Sequence, residues 1–365
     1  MEYASIAGKR RVSRVGIGGH YTKMEEGRYE ERYAELNPAE IRARSSIIER
    51  AFDAGITYYD TTWRNEVDML AESIRPLGIR DQLFINGMVL GTFTGSKAVG
   101  ISPAEYLNQW LEPRLRVLPG GRFNSFMINA IDEGYDEAAC EQVLGTLEQR
   151  KQAGDFDVIG FSCHDHALAR RIADTFPEFQ LIMLAYNYKN RRFEQTFGTY
   201  AGQASFVAMK PLIWYEYGVP FNRINLLPNA DELLGGLRAD DIATKAVQWV
   251  NSHAQITTSV CAINAPDELG QLINAGNGPL TARGEEELAA YMQAIERDEH
   301  IPFLIAAAMC GPENRRSLQF GLANLARALL VPYPDIPLNE PDTDARLLAF
   351  QQGILLEARK RGLIA

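Results

Sequence analysis

The chain is poor in cysteine and histidine and has no long hydrophobic run. Its four cysteines, Cys140, Cys163, Cys261 and Cys310, stand far apart with no C-x-x-C pair. That excludes a disulfide framework and offers no spacing for an iron–sulfur or zinc–thiolate site. No stretch approaches the roughly 20 apolar residues that span a bilayer. Met1-Glu2-Tyr3-Ala4-Ser5 runs into Gly8-Lys9-Arg10-Arg11 without the apolar core of a signal peptide, so a cytoplasmic protein is expected. Positive charge is also short: 37 Lys and Arg against 47 Asp and Glu leave a net charge of -10. Such a balance favours solubility and disfavours nucleic acid or an anionic membrane as partners. A small-molecule substrate is the expected partner, and nothing in the composition points to an oligomeric state.

What the chain does have is apolar content, 46% of 365 residues, enough for a barrel of roughly 250 residues with additions. Tyr3 to Arg14 reads as a hairpin around Gly8-Lys9, and Val12 to Gly18 enters a first strand. Short apolar strands then alternate with amphipathic helices. Strands are predicted at 57–60, 83–89, 124–129, 157–161, 181–186, 206–209 and 256–260. Helices are predicted at 41–53, 67–75, 103–115, 137–152, 166–175, 191–197, 239–252 and 266–275. About eight strand–helix units with near-continuous apolar strands predict an α/β fold, a (β/α)8 TIM barrel. The expected division is a barrel over 1–275 and a helical carboxy-terminal extension over 276–365 packed on it, with helices near 285–297, 313–330 and 344–360. Two loops attract attention: the charged stretch 20–37, either a lid or a solvated insertion, and the glycine-rich 91–100, able to close over a ligand.

In a parallel barrel the chemistry lies at the carboxyl ends of the strands. The polar groups predicted there are His20, Asp60, Asn129, the run Ser162-Cys163-His164-Asp165-His166, Tyr186-Asn187-Tyr188, Lys210 and Asn264, with Met88 ending the third strand. Three of the five histidines fall on this rim. Asp60 reads either as a functional carboxylate or as a cap or arginine partner, and His20, His164 and His166 either as proton carriers or as loop and cap residues. A metal held by His20, Asp60 and His164 is conceivable, but no compact ligand motif is present and no metal is expected. Lys210 could be a buried amine or a solvated, phosphate-facing one. Trp214, Tyr215 and Tyr217 could form a ring-stacking wall or pack under the tail.

The hairpin leading to Val15-Gly16-Ile17-Gly18-Gly19, the stretch Ala54-Gly55-Ile56-Thr57-Tyr58-Tyr59-Asp60-Thr61 and Val158-Ile159-Gly160-Phe161-Ser162 resemble the aldo/keto reductase superfamily. Tyr186-Asn187-Tyr188, Met209-Lys210-Pro211-Leu212 and Ala246-Val247-Gln248-Trp249-Val250 extend the resemblance, which runs from about Tyr3 to Ala275. It implies NADPH or NADH bound across the barrel mouth and carbonyl reduction by an aspartate, a tyrosine, a lysine and a histidine. Hydride delivery leaves an alkoxide that needs a proton, which those groups supply.

By that resemblance the chain is a divergent member. The aspartate is Asp60; the loop that should carry the tyrosine is shortened to Thr62-Trp63-Arg64-Asn65-Glu66; the lysine position is Met88 and the histidine position Asn129. Tyr58 and Tyr59 precede Asp60 and cannot substitute by motif position. The implied cofactor-binding positions are Ser162, Cys163, Met209, Lys210 and Asn264, with Met183 where a glutamine is usual and Asp267, Gln271 and Leu272 in the last helix. NADP(H) is therefore a possible cofactor whose binding positions have drifted.

Three functions follow as expectations. The first is an enzyme acting on a polar small molecule, such as a sugar or carbonyl compound. Its acid/base chemistry would use Asp60, with His20, His164 or His166 as proton carriers, Arg64 as anion partner and Asn129 as donor. The second is an NAD(P)H-dependent oxidoreductase with a replaced proton donor. The third is a non-catalytic descendant that binds a metabolite or a protein.

Overall fold

The computed structural model describes residues 1–19, 38–129, 135–214, 219–237, 241–263, 265–297, 300–308, 315–334, 336 and 340–363. The amino-terminal run folds back on itself: β1 (Tyr3–Ile6) and β2 (Arg10–Ser13) pair antiparallel, with Gly8 at φ +63° supplying the left-handed turn that a side chain resists. Beyond it the apolar runs become β3 (Val15–Ile17), β4 (Tyr58–Thr61), β5 (Phe84–Val89), β6 (Ser125–Asn129), β7 (Val158–Cys163), β8 (Leu181–Ala185) and β9 (Ser205–Met209). A separate antiparallel ribbon joins β10 (Ile213–Trp214) to β11 (Val219–Pro220), and β12 (Ile256–Cys261) follows. The sheet closes in the order β12-β3-β4-β5-β6-β7-β8-β9, every neighbour parallel. The molecule is thus a (β/α)8 barrel with an amino-terminal hairpin and further carboxy-terminal helices.

The period of two in each strand decides what fills the barrel. Tyr58 and Asp60 share one face of β4. Tyr59 turns the other way and donates its hydroxyl to the Ile48 carbonyl of α1 (Pro38–Asp53). Tyr58, Phe84, Val158 and Leu181, the first residues of their strands, pack with Ile6 and Val12 of the hairpin. The hairpin therefore plugs the amino ends of the strands, leaving the carboxyl ends as the mouth. Tyr58 and Phe84 stack at 5.5 Å between ring centroids, close to coplanar at 13°.

Helices α2 (Arg64–Ile74), α3 (Thr94–Val99), α4 (Pro103–Val117), α5 (Glu137–Gln152), α6 (His166–Thr175) and α7 (Glu194–Phe197) connect the strands. The remaining helices are α8 (Ala230–Leu234), α9 (Ile242–Ser252), α10 (Pro266–Gly276), α11 (Ala282–Glu296), α12 (Ile301–Ala308), α13 (Arg315–Ala328) and α14 (Thr343–Lys360). Proline at the first position of α4 and the Ser102 hydroxyl, which accepts from the Glu105 amide at 3.1 Å, start that helix where the sequence places it.

Three expectations are corrected. The glycine-rich stretch 91–100 is not an open loop: α3 occupies most of it, ending at Gly100 with φ 73°, and the Tyr106 ring lies so close to Gly95 that an added Cβ would come within 2.6 Å of its hydroxyl. Helix α2 begins at Arg64, ahead of the expected Val67, because Glu66 caps it. Helix α12 was not expected at all. Its sequence Ile-Pro-Phe-Leu-Ile-Ala-Ala-Ala carries no amphipathic period, being buried on nearly every side.

The described residues fall into two compact units, 1–19, 38–211 and 250–279 in one, 212–249 and 280–363 in the other. The second combines 212–249 with most of the tail read from 276 onward. In it α13 approaches α12 closely at Gly321, where an added Cβ would lie 2.5 Å from that of Ala306, and the Gln351 amide of α14 donates to the Ala307 carbonyl at 2.6 Å. No helix among the described residues is long and apolar enough to cross a membrane.

Candidate functional site

Asp60 is the next-to-last residue of β4 and is only 7% exposed. A carboxylate taken out of water needs donors, and one comes from the adjacent strand: Asn86, in register with Asp60, donates Nδ2–H to Oδ1 at 2.6 Å. Asn86 is itself held from the far side, where the Ser125 hydroxyl donates to its Oδ1 at 2.6 Å. Asn86 and Ser125 are both fully buried, so three neighbouring strands form a polar chain inside the barrel. Tyr58, below Asp60 on the same face, has its hydroxyl pushed well above the usual tyrosine range by burial and then by the Asp60 charge. A phenol so disfavoured as an anion is a poor proton donor, in keeping with its motif position.

The link from Asp60 to α2 is short. Thr61 ends the strand, Thr62 and Trp63 follow, and Arg64 is already helical. The fully buried Glu66 carboxylate turns back to accept the Thr62 and Trp63 amides at 2.7 and 3.0 Å. It lies so close to Gly19 that an added Cβ would sit 2.3 Å from Glu66 Oε2. Arg64 pairs with Asp68 one turn on, at 3.9 Å. Asp68 is raised above the ordinary carboxylate range by burial, against the lowering pull of Arg64 and Arg114. The arginine expected as an anion partner is thus tied into the flank of α2.

Around the polar chain the barrel is filled with thioethers. Met88, Met127 and Met183 lie in the core cluster, and the partly buried Met209 packs against it. Two of these occupy positions where the resemblance calls for polar groups, Met88 for lysine and Met183 for glutamine, so the substitutions converge on one apolar floor. Asn129 ends β6, buried, in register with Ser162 of β7. The Ser162 hydroxyl lies 3.9 Å from the Met209 sulfur.

Cys163 is buried, its thiol donating to the Asp165 carbonyl at 3.1 Å, and burial pushes it up to about 12. Cys140 on α5 is likewise pushed up to about 12 by burial. A thiol raised in the folded chain above its ordinary value of about 8.5 contributes stability that is complete below pH 8.5 and is lost as pH climbs toward 12. Urea unfolding at pH 8, 9 and 10 is therefore expected to show a loss of about 0.7 kcal/mol per thiol over the first pH unit and about 1.2 kcal/mol over the second. The Cys140→Ala, Cys163→Ala double variant should lessen that alkaline slope, leaving the share of Cys261, which burial likewise pushes up to about 12.

The histidines separate. His164 is partly buried between β7 and Asp165, which caps α6 by accepting the Leu168 amide at 2.7 Å. His166, the first residue of α6, packs edge-on to Phe193 at 4.7 Å and lies 3.3 Å from the Thr196 hydroxyl. That ring belongs to the α6–α7 contact. Lys210 follows β9 with φ 58°, a left-handed conformation that a side chain resists and that a following proline disfavours further. Buried Asn187 holds it there, donating to the Lys210 carbonyl at 2.8 Å while its own Oδ1 accepts the Lys189 and Asn190 amides. His20, Asn264, Cys310, Tyr215, Tyr217 and the loop 20–37 lie outside the described residues. Among the described residues no cluster of three metal-ligating side chains occurs.

Asn86, Ser125 and Glu66 were not among the candidates. The signal for Asn86 was its phase: in β5, positions 84, 86 and 88 face the barrel interior, and an amide at the middle one needs a partner.

The eight-stranded parallel barrel plugged by an amino-terminal hairpin is a fold that solved aldo/keto reductases share. An aldo-keto reductase from Bacillus halodurans matches in its apo and holo forms, at 19% and 18% identity and TM-scores of 0.55 and 0.58, over 80% of this chain and 96% of that one. An aldo/keto reductase from Klebsiella pneumoniae, in complex with NADP and acetate, matches at 16% identity and a TM-score of 0.57, over 81% and 96%. A thermostable aldo-keto reductase in complex with the inhibitor epalrestat matches at 17% and 0.56, over 80% and 100%. No family model and no curated protein matches the sequence.

Proposed function

We propose that the chain is a divergent member of the aldo/keto reductase superfamily, a cytoplasmic enzyme that acts on a polar small molecule by acid/base chemistry around Asp60. The observation that carries this is the Asp60 carboxylate itself: buried at the mouth of an apolar, methionine-floored barrel, it is stabilised by a donor from the next strand. A carboxylate in such surroundings is retained for work more readily than for stability, since its burial is costly. Asp60 would exchange a proton with a hydroxyl or carbonyl-derived group of the substrate, with Asn129 as a hydrogen-bond donor and His164 or His20 carrying the proton onward. The test is turnover on a panel of hydroxylated and carbonyl compounds, with and without NADPH and NADH. No turnover in any arm, together with no thermal stabilisation by any compound, would sink it.

A second reading keeps nicotinamide chemistry, and Ser162 favours it. Its hydroxyl meets a thioether, a weak acceptor, and can turn toward a carboxamide. Partly exposed Lys210, with its backbone fixed by Asn187, offers a cation to an anionic part of a dinucleotide. These residues fit the cofactor, with Cys163 and Met209 beside them in the chain. When bound, the nicotinamide supplies or accepts a hydride; Ser162 orients, Lys210 binds and Asp60 handles the proton. Titration with NADPH and NADH followed by nicotinamide fluorescence separates the readings, and absence of binding at about millimolar cofactor removes the second.

A further inference from the structure

The reading of Asp60 as an acid/base group leaves open which of the two it is, and the polar chain behind it bears on that choice. An amide can present either its oxygen or its NH2 to a neighbour, and the hydrogen-bond network decides which. Here the Ser125 hydroxyl donates to Asn86 Oδ1 at 2.6 Å, so the oxygen faces β6 and Nδ2–H faces β4. The group it meets, at 2.6 Å, is Asp60 Oδ1. An NH2 facing a carboxyl oxygen stabilises the ionised form. Burial works the other way. Asn86 and Ser125 are fully buried and sit in strand register, Asp60 opposite Asn86 and Asn86 opposite Ser125, so the rigid ladder of three parallel strands fixes the geometry rather than a loop.

Among the described residues, the titratable groups that adjoin this chain include Tyr58, below Asp60 on the same face, and Glu66 in the first turn of α2, with its carboxylate on the Thr62 and Trp63 amides. Phe84 and Met88 on β5, Met127 on β6 and Val15 to Ile17 on β3 bring no charge.

We infer that Asn86 is a positioning residue, locked by Ser125, that holds Asp60 as a carboxylate so that it enters the reaction as the proton acceptor. The substrate it suits then carries a proton to give, an alcohol or a carbonyl hydrate rather than a free carbonyl. In that step the substrate O–H bond breaks, an O–H bond to Asp60 forms, and the electron pair stays on the substrate oxygen; no oxidant is needed for the proton transfer itself. The inference rests on Asp60 being the working group, but its first test does not require a substrate.

Carbon-13 NMR of carboxyl-labelled aspartate, assigned through Asp60→Asn, follows Asp60 across pH in the full chain. The expected result is an ionised Asp60 at pH 7 in the wild type. In Asn86→Leu its titration midpoint should rise by about 1 to 2 pH units, the size of one charge-assisted hydrogen bond. Ser125→Ala, which loosens the amide without removing it and is the milder change should Asn86→Leu not fold, should move it the same way by less. An Asp60 protonated at pH 7 in the wild type, or midpoints unmoved in both folded variants, overturns the inference. Once a substrate is in hand, the acid limb of the kcat/KM profile should shift with the same sign, which a merely structural role for Asn86 would not produce. If Asp60→Asn leaves turnover unchanged while the midpoints move as expected, the functional reading has failed and the positioning has not.

Discussion

Asp60→Asn is expected to reduce turnover by about 10²- to 10⁴-fold on any substrate the wild type accepts, the range that removal of a positioned acid or base produces. The exchange is nearly isosteric. Its amide can still face Asn86, presenting its oxygen to the Nδ2–H now bound by Asp60 Oδ1, so the folded barrel should survive. What disappears is the capacity to take a proton. Steady-state kinetics over the compound panel, paired with thermal unfolding, checks both halves. A variant that turns over normally would remove Asp60 from the chemistry, and one that loses activity only by unfolding would leave its role undecided between catalysis and architecture. Because Asp60→Asn replaces the charge and keeps the shape, the second outcome would be visible as a large fall in Tm.

Gly160→Val is expected to cost about 3 kcal/mol or more of stability and to leave little folded barrel. Gly160 pairs with Leu181 across the β7–β8 ladder, and a Cβ at this position would lie 2.3 Å from the Leu181 carbonyl oxygen and 3.0 Å from its Cβ. The obstacle is the backbone of the adjacent strand, which cannot rotate aside as a side chain can. Accommodating it means parting β7 from β8, and in a closed sheet that strain passes to every other strand. Gly145→Ala provides the contrast. It lies inside α5 with nothing within 4 Å of an added Cβ, and the substitution should stabilise the helix by about 1 kcal/mol. Urea unfolding of both variants, compared with wild type, tests the pair; a Gly160→Val chain of normal stability would contradict the close strand approach described above.

The barrel was legible because its strands are short, apolar and regularly spaced, and because α5 and α6 begin at capping aspartates that a reader can see, Asp136 and Asp165. Asp60 was legible for the same reason, since a carboxylate at the end of a buried strand breaks its pattern. Its partner Asn86 was legible only as an interior amide by its phase in β5; that it meets Asp60 is set by the register of the closed sheet. His166 and Arg64 stand at the starts of helices on the rim, where the turn of the helix brings one against Phe193 and Thr196 and the other near Asp68. Position along the sequence gives the end of a strand; it does not give the direction of a side chain on the helix that starts there. Helix α12 escaped for want of contrast, since a segment buried on nearly all sides carries no periodic signal.

The two-residue link from β4 to α2 has a consequence for motion. Thr62 and Trp63 have their amides bound to Glu66, and Glu66 is buried against Gly19, so the segment has no slack with which to swing. Enzymes that close a loop over their substrate often spend most of each cycle opening it again. Among the described residues the β4–α2 link offers no loop to open: the carboxylate stands on a strand, and the strand runs into a helix pinned by Glu66.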